Sequence, residues 1–236
     1  MLPEVNTTMS ISRRAVLASA MTALFPSPVF PHSLEELSQG FVNEEKYFQP
    51  VDKEAPGFTL QDADGRGVSL AEFQGKVVVL HFIYTNCPDF CPLHAEKIAE
   101  VQQMVNITPM KDMVEFISIT TDPRRDFGQV LRDFGENHGL DPVNWVFLTA
   151  APGQPEDSTR QLAKSYGVEF KLAADGEQMH GVVTSVIRQD GRLVARFHSL
   201  RFQSLNLVKF INALTNDHHP VSRVEPSFWD RLKDMF

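Results

Sequence analysis

Lys76–Pro92 reads KVVVLHFIYTNCPDFCP. Its first part, Lys76 to Tyr84, is nearly continuous in Val, Leu, Phe and Ile, the pattern of a strand buried on both faces in a sheet covered by helices. Such a strand belongs at the sheet centre. Its second part holds both cysteines of the chain, Cys87 and Cys91, in a loop that leads into a helical pattern: Ile98, Val101, Met104 and Val105 recur at i, i+3, i+6 and i+7. Strand, loop and helix therefore follow one another, with the cysteines where open α/β sheets place their ligands.

Outward from this unit, Phe58–Leu60 and Val68–Leu70 flank the turn-forming Asp62–Gly67 and predict a hairpin. Downstream, Val114–Ile119 reads as a strand, and Asp122-Pro123 as an N-cap followed by proline in a first helical turn, with Val130, Leu131 and Phe134 as that helix's core face. A strand at Asn144–Leu148, a helix over Glu156–Tyr166, two strands (Val182–Ile187 and Leu193–Phe197) joined at Asp190-Gly191, and a helix near Leu205–Leu214 complete the pattern. Alternating elements closed by a hairpin and helix predict an α/β fold: a thioredoxin-like mixed central sheet flanked by helices, with an N-terminal β-hairpin.

The 236 residues suit one domain with tails, expected at 56–215. Residues 32–55 are polar and weakly periodic and read as a spacer holding at most a short helix near Leu34–Phe41. Residues 216–236 form a tail in which Phe228, Trp229, Leu232 and Phe236 can line one helical edge. With 42% hydrophobic and 22% charged residues the chain is composed like an ordinary globular protein. A formal net charge of −8 argues against nucleic acid or an anionic membrane surface as partner, since both need a basic face.

At the N-terminus, Arg13-Arg14 precedes the apolar run Ala15–Phe25, whose 11 residues are short for a membrane span. Residues 1–31 read as a twin-arginine-like export signal, with an uncleaved anchor, and so membrane association, left open because Pro26, Pro28 and Pro31 crowd the cleavage region. Glu4 sits poorly in a basic leader, which leaves Met1 and Met9 both open as the start of synthesis. The expected location is the periplasm or the outer face of the cytoplasmic membrane.

Cys87 and Cys91 at the start of a helix meet unpaired N–H groups and a partial positive charge, and both favour thiolate. Pro92, in the first turn, lacks an N–H where none is needed. Three chemistries compete. A structural disulfide closing so short a loop removes little chain entropy. Thiol-disulfide exchange needs a low-pKa thiolate beside a resolving thiol, although its usual spacing is two intervening residues, not three. A soft metal site uses both thiolates and an imidazole from elsewhere, a trigonal set suited to Cu(I), whereas zinc normally wants a fourth protein ligand. His94, three residues after Cys91, is a local third ligand on one helical face, or a solvated surface side chain. His81 within the apolar strand reads as a hydrogen-bonded core residue. His218-His219 read as tail, and Asp122 and Asp126 as helix caps, with partner docking as their other reading.

Phe82–Pro92 (FIYTNCPDFCP), Thr120–Asp126 (TTDPRRD) and His180 before a strand-Asp-Gly-strand hairpin resemble the Sco/SenC copper-protein family over about Pro56–Leu214. The resemblance implies copper bound by Cys87, Cys91 and His180, and a metallochaperone that helps assemble the copper centre in apo cytochrome c oxidase subunit II or serves another copper-accepting protein. It implies a chaperone more than an enzyme. The other readings are a thiol-disulfide reductase with Cys87 and Cys91 as its catalytic pair, and a redox or copper sensor. One departure concerns the residue before His180, often Asp in the family and Met179 here, a side chain that packs or lends a thioether. Val183-Thr184 also lacks the proline that thioredoxin-type reductants carry at this strand entry, which weighs against general disulfide exchange.

Overall fold

The computed structural model describes residues 34–172 and 178–216, with backbone alone at 34, 35, 37, 171, 172 and 178–180. The expected export segment (1–31) and the tail beyond Asn216, including His218-His219 and the Phe228–Phe236 edge, lie outside the described residues. Among the described residues no helix is long and apolar enough to cross a membrane.

In chain order the elements are α1 (Leu34–Glu44), β1 (Phe48–Glu54), β2 (Thr59–Asp62), β3 (Gly67–Ser69), β4 (Val77–Ile83), α2 (Phe90–Asn106), β5 (Val114–Thr120), α3 (Gln129–Asn137), β6 (Trp145–Thr149), α4 (Ser158–Ser165), β7 (Phe170–Leu172), β8 (Gln178–His180), β9 (Val183–Ile187), β10 (Arg192–His198) and α5 (Ser204–Asn216). Eight strands form one mixed sheet in the order β1-β10-β9-β4-β5-β6-β2-β3, and β7 pairs with β8 separately. β4, β5 and β6 run parallel, while β9, β10, β1 and the β2–β3 hairpin join antiparallel.

β4 is the central strand the sequence predicts, and all seven of its residues are buried. Alternation sends Val77, Val79 and Ile83 into one core layer, and Val78, Leu80 and Phe82 into the other. The first layer packs under α1, α2, α3 and α5 through Phe41, Ile98, Phe134 and Phe210; the second packs against α4 and the hairpin through Ala163, Leu60 and Val68. The β9–β10 turn falls at Asp190-Gly191, where Gly191 takes φ 85°, a conformation that favours glycine.

Two expectations need correction. Of the expected spacer, residues 34–54 belong to the domain: the short helix read near Leu34–Phe41 is α1, which packs on α5, and β1, which was not expected, pairs with β10 as the sheet's edge strand. A helix does not begin at Pro123. Residues 122–126 close a single turn on the Asp122 carbonyl, Gly128 takes φ 52°, and α3 starts at Gln129, leaving Val130 exposed while Leu131 and Phe134 face the core.

Candidate metal centre

Cys87 lies in the loop after β4, and Cys91 is the second residue of α2. The first N–H groups of a helix have no partner within it. Here the Cys91 N–H donates to Cys87 Sγ at 3.4 Å, so the half-buried sulfur caps the helix. Cys91 itself is buried, and its thiol also donates to Cys87. That thiol bond, ahead of the backbone N–H groups of Cys91 and Asp89 and the Tyr84 side chain, holds the Cys87 pKa down to about 4 against the opposing effect of burial. The same bond, then burial, pushes the Cys91 thiol up. The pair therefore sheds one proton readily and keeps the second.

The loop is held from below by a residue whose role differs from that read in the sequence. Asp126 is fully buried and caps no helix. Its carboxylate accepts from Thr85 N at 2.9 Å, Thr85 Oγ1 at 2.5 Å and Thr120 Oγ1 at 2.5 Å. A carboxylate out of water requires such donors, and these tie the TTDPRRD turn to a residue two positions before Cys87. Asp122 instead pairs with Arg125. The TTDPRRD motif was the signal in the sequence, but the donors that occupy its last Asp are set by the parallel pairing of β4 with β5.

His94 is buried, not solvated: its Nε2 lies 2.8 Å from Thr184 Oγ1, and its ring packs against His81. Among the described residues, no group of three His, Cys, Asp or Glu side chains is placed to hold a metal. His81 is the hydrogen-bonded core residue expected, with Nε2 at 3.2 Å from Ser118 Oγ. The side chains of Met179 and His180 lie outside the described residues; the backbone of His180 pairs with Phe170 in β7. β9 runs antiparallel to β4 with His81 opposite Thr184, so the chain before Val183 emerges at the end of β4 from which the cysteine loop departs. Around the cysteines, Phe90 and Leu93 are each 52% exposed.

A family model described as SCO1/SenC matches residues 48–215, most of the chain. The chain belongs to this family. The matched segment opens on β1 and closes inside α5, so the SCO1/SenC unit includes the edge strand. The SCO1 protein homolog of Bacillus subtilis (strain 168) is 28% identical over 151 residues, covering 64% of this chain and 77% of that one. The chain spans about half the length (50%) of the mitochondrial SCO2 homologs of human and cattle. Among solved structures, BsSco, described as a member of the Sco family of cytochrome c oxidase assembly proteins and as carrying a disulfide switch, has a TM-score of 0.62 at 25% identity over 71% of this chain and 96% of its own. ScoI of Bradyrhizobium japonicum with copper bound has a TM-score of 0.56 at 26% identity over 69% of this chain and 99% of its own. The thioredoxin-like architecture is thus that of Sco proteins, some of them solved with copper bound.

Proposed function

We propose that this chain is an exported copper chaperone that carries one copper ion as cargo on Cys87, Cys91 and His180. It passes the ion to apo cytochrome c oxidase subunit II or another copper-accepting protein at the outer face of the cytoplasmic membrane. The observation that carries the reading is the Cys87 sulfur seated on the first turn of α2 with Cys91 as its neighbour. A thiolate already formed there takes up a soft cation with loss of only one further proton, and thiolates select Cu(I) over hard ions. The backbone path of His180 toward the same end of the sheet supports the imidazole as third ligand.

Three-coordinate copper leaves room for an incoming ligand, so transfer proceeds by direct exchange across a protein contact. An acceptor that reaches Cys87 meets the start of α2, where Phe90 and Leu93 are exposed. Export rests on the Arg13-Arg14 segment. The low-pKa Cys87 beside a resolving thiol also favours a second reading, thiol-disulfide reduction of a partner's cysteines.

Copper titration of the reduced chain beside His180→Ala tests the first reading. Stoichiometric binding that weakens at least tenfold in the variant supports it. Equal affinity discards His180, and no binding at all with ready disulfide exchange leaves the reductase.

A further inference from the structure

One helical turn below the cysteines, a row of polar side chains crosses the sheet inside the apolar core. Trp145 Nε1 on β6 donates to Ser118 Oγ on β5 at 3.0 Å, and that oxygen lies 3.2 Å from His81 Nε2 on β4. The His81 ring packs at 4.6 Å between centroids against the ring of His94 on α2, whose Nε2 meets Thr184 Oγ1 on β9 at 2.8 Å. All five side chains are buried.

Apolar burial is non-directional, so by itself it lets a helix slide or turn on a sheet. A hydrogen bond is directional and fails when donor and acceptor separate by much more than half an ångström. The His94–Thr184 bond joins α2 to the sheet at a meaningful place. Cys91 stands three residues before His94, about 4.5 Å along the helix axis. His180 stands four residues before Thr184, at most about 13 Å along an extended chain. Because β9 is antiparallel to β4, both paths lead from this bond to the same end of the sheet.

We propose that His94 is a positioning residue for the copper site: through Thr184 it fixes the turn of α2 bearing Cys91 against the strand that leads out of His180. It touches no copper; it sets the separation of two ligands that come from distant parts of the chain. The inference rests on the copper reading above and deepens it.

The test uses the full chain with Thr184→Val, which removes the hydroxyl at nearly constant volume, Thr184→Ser, which restores it, and His94→Phe. Reduced protein is titrated with Cu(I) against a chelator, Cu(II) is added to record the thiolate charge-transfer band, and amide hydrogen exchange is followed without metal. Thr184→Val is expected to weaken Cu(I) binding about five- to tenfold, the worth of one buried hydrogen bond, to shift the band, and to speed exchange at residues 91–95. Thr184→Ser should stay within about twofold of wild type, since the hydrogen bond is kept. Wild-type affinity, band and exchange in Thr184→Val overturn the role of His94 even if His94→Phe does not fold. With copper binding intact and dependent on His180, that result leaves the copper reading standing. A wild-type chain that takes up no copper overturns both.

Discussion

The backbone N–H of Cys91 points at the Cys87 sulfur from 3.4 Å, which makes one cysteine the helix cap of the other. Geometry of this kind separates two chemically identical groups: the capping sulfur is stabilised as an anion, and the helical one, buried and donating, is held as a thiol.

The separation can be titrated. A group whose folded pKa is depressed is ionised at every pH above that value, so thiolate absorbance near 240 nm should persist on acidification and vanish only as pH falls through about 4. Cys91→Ala removes the largest cause of the depression, and the midpoint should climb by roughly two units or more toward the ordinary value of about 8.5. A midpoint unchanged in Cys91→Ala would show that the helix end alone holds the anion.

Asp126 offers a second test. Asp126→Asn keeps the shape but trades an acceptor for a donor facing Thr85 and Thr120, which are donors already. Charge-assisted hydrogen bonds contribute about 1.5–3 kcal/mol each, and the variant should lose about 2–4 kcal/mol of stability. Urea denaturation at unchanged slope reads the loss as a lower midpoint. Copper affinity should fall as well, since Thr85 stands two residues from Cys87. An unaltered midpoint would refute the tether.

Phe90 and Leu93 separate holding copper from handing it on. Their side chains are half exposed, so Phe90→Ala and Leu93→Ala remove little core packing and should leave Cu(I) affinity within about twofold. If an acceptor covers this surface, each truncation should slow transfer to a soluble apo copper-accepting domain by about fivefold to tenfold, the effect of losing an apolar interface anchor. Transfer at the wild-type rate in the double variant would place the acceptor elsewhere.

These tests bear unequally on what the sequence disclosed. β4 was legible because both faces are covered, so every residue from Val77 to Ile83 is buried and the apolar run has no break but His81. The cysteine loop was legible because its neighbours are local in sequence. The partners of His81, His94 and Asp126 were not, since each lies across the sheet and sequence gives no register between strands. Asp122-Pro123 imitated a helix start, but a buried Asp126 and Gly128 at φ 52° end that turn. β7 and β8, three residues each, are too short to show a period.

β1 was missed for the clearest physical reason and supplies the last test. FQPVDKE carries a proline and three charges with no alternation, as suits an edge strand exposed along most of its length. Yet its first residue is core: the Phe48 ring stands 5.3 Å from Phe197, 5.2 Å from Phe210 and 5.5 Å from Phe41. Phe48→Ala should therefore cost about 3–5 kcal/mol, read as a lower urea midpoint, where a spacer residue would cost nothing. Beginning the chain at Pro56 goes further, because it strips β10 of its outer partner, leaving it paired with β9 alone, and exposes an unpaired edge. That truncated chain should aggregate at concentrations where the full chain stays monodisperse by light scattering. If it remains monodisperse and unfolds at the wild-type midpoint, residues 34–54 are dispensable and the domain begins where the sequence pattern alone had placed it.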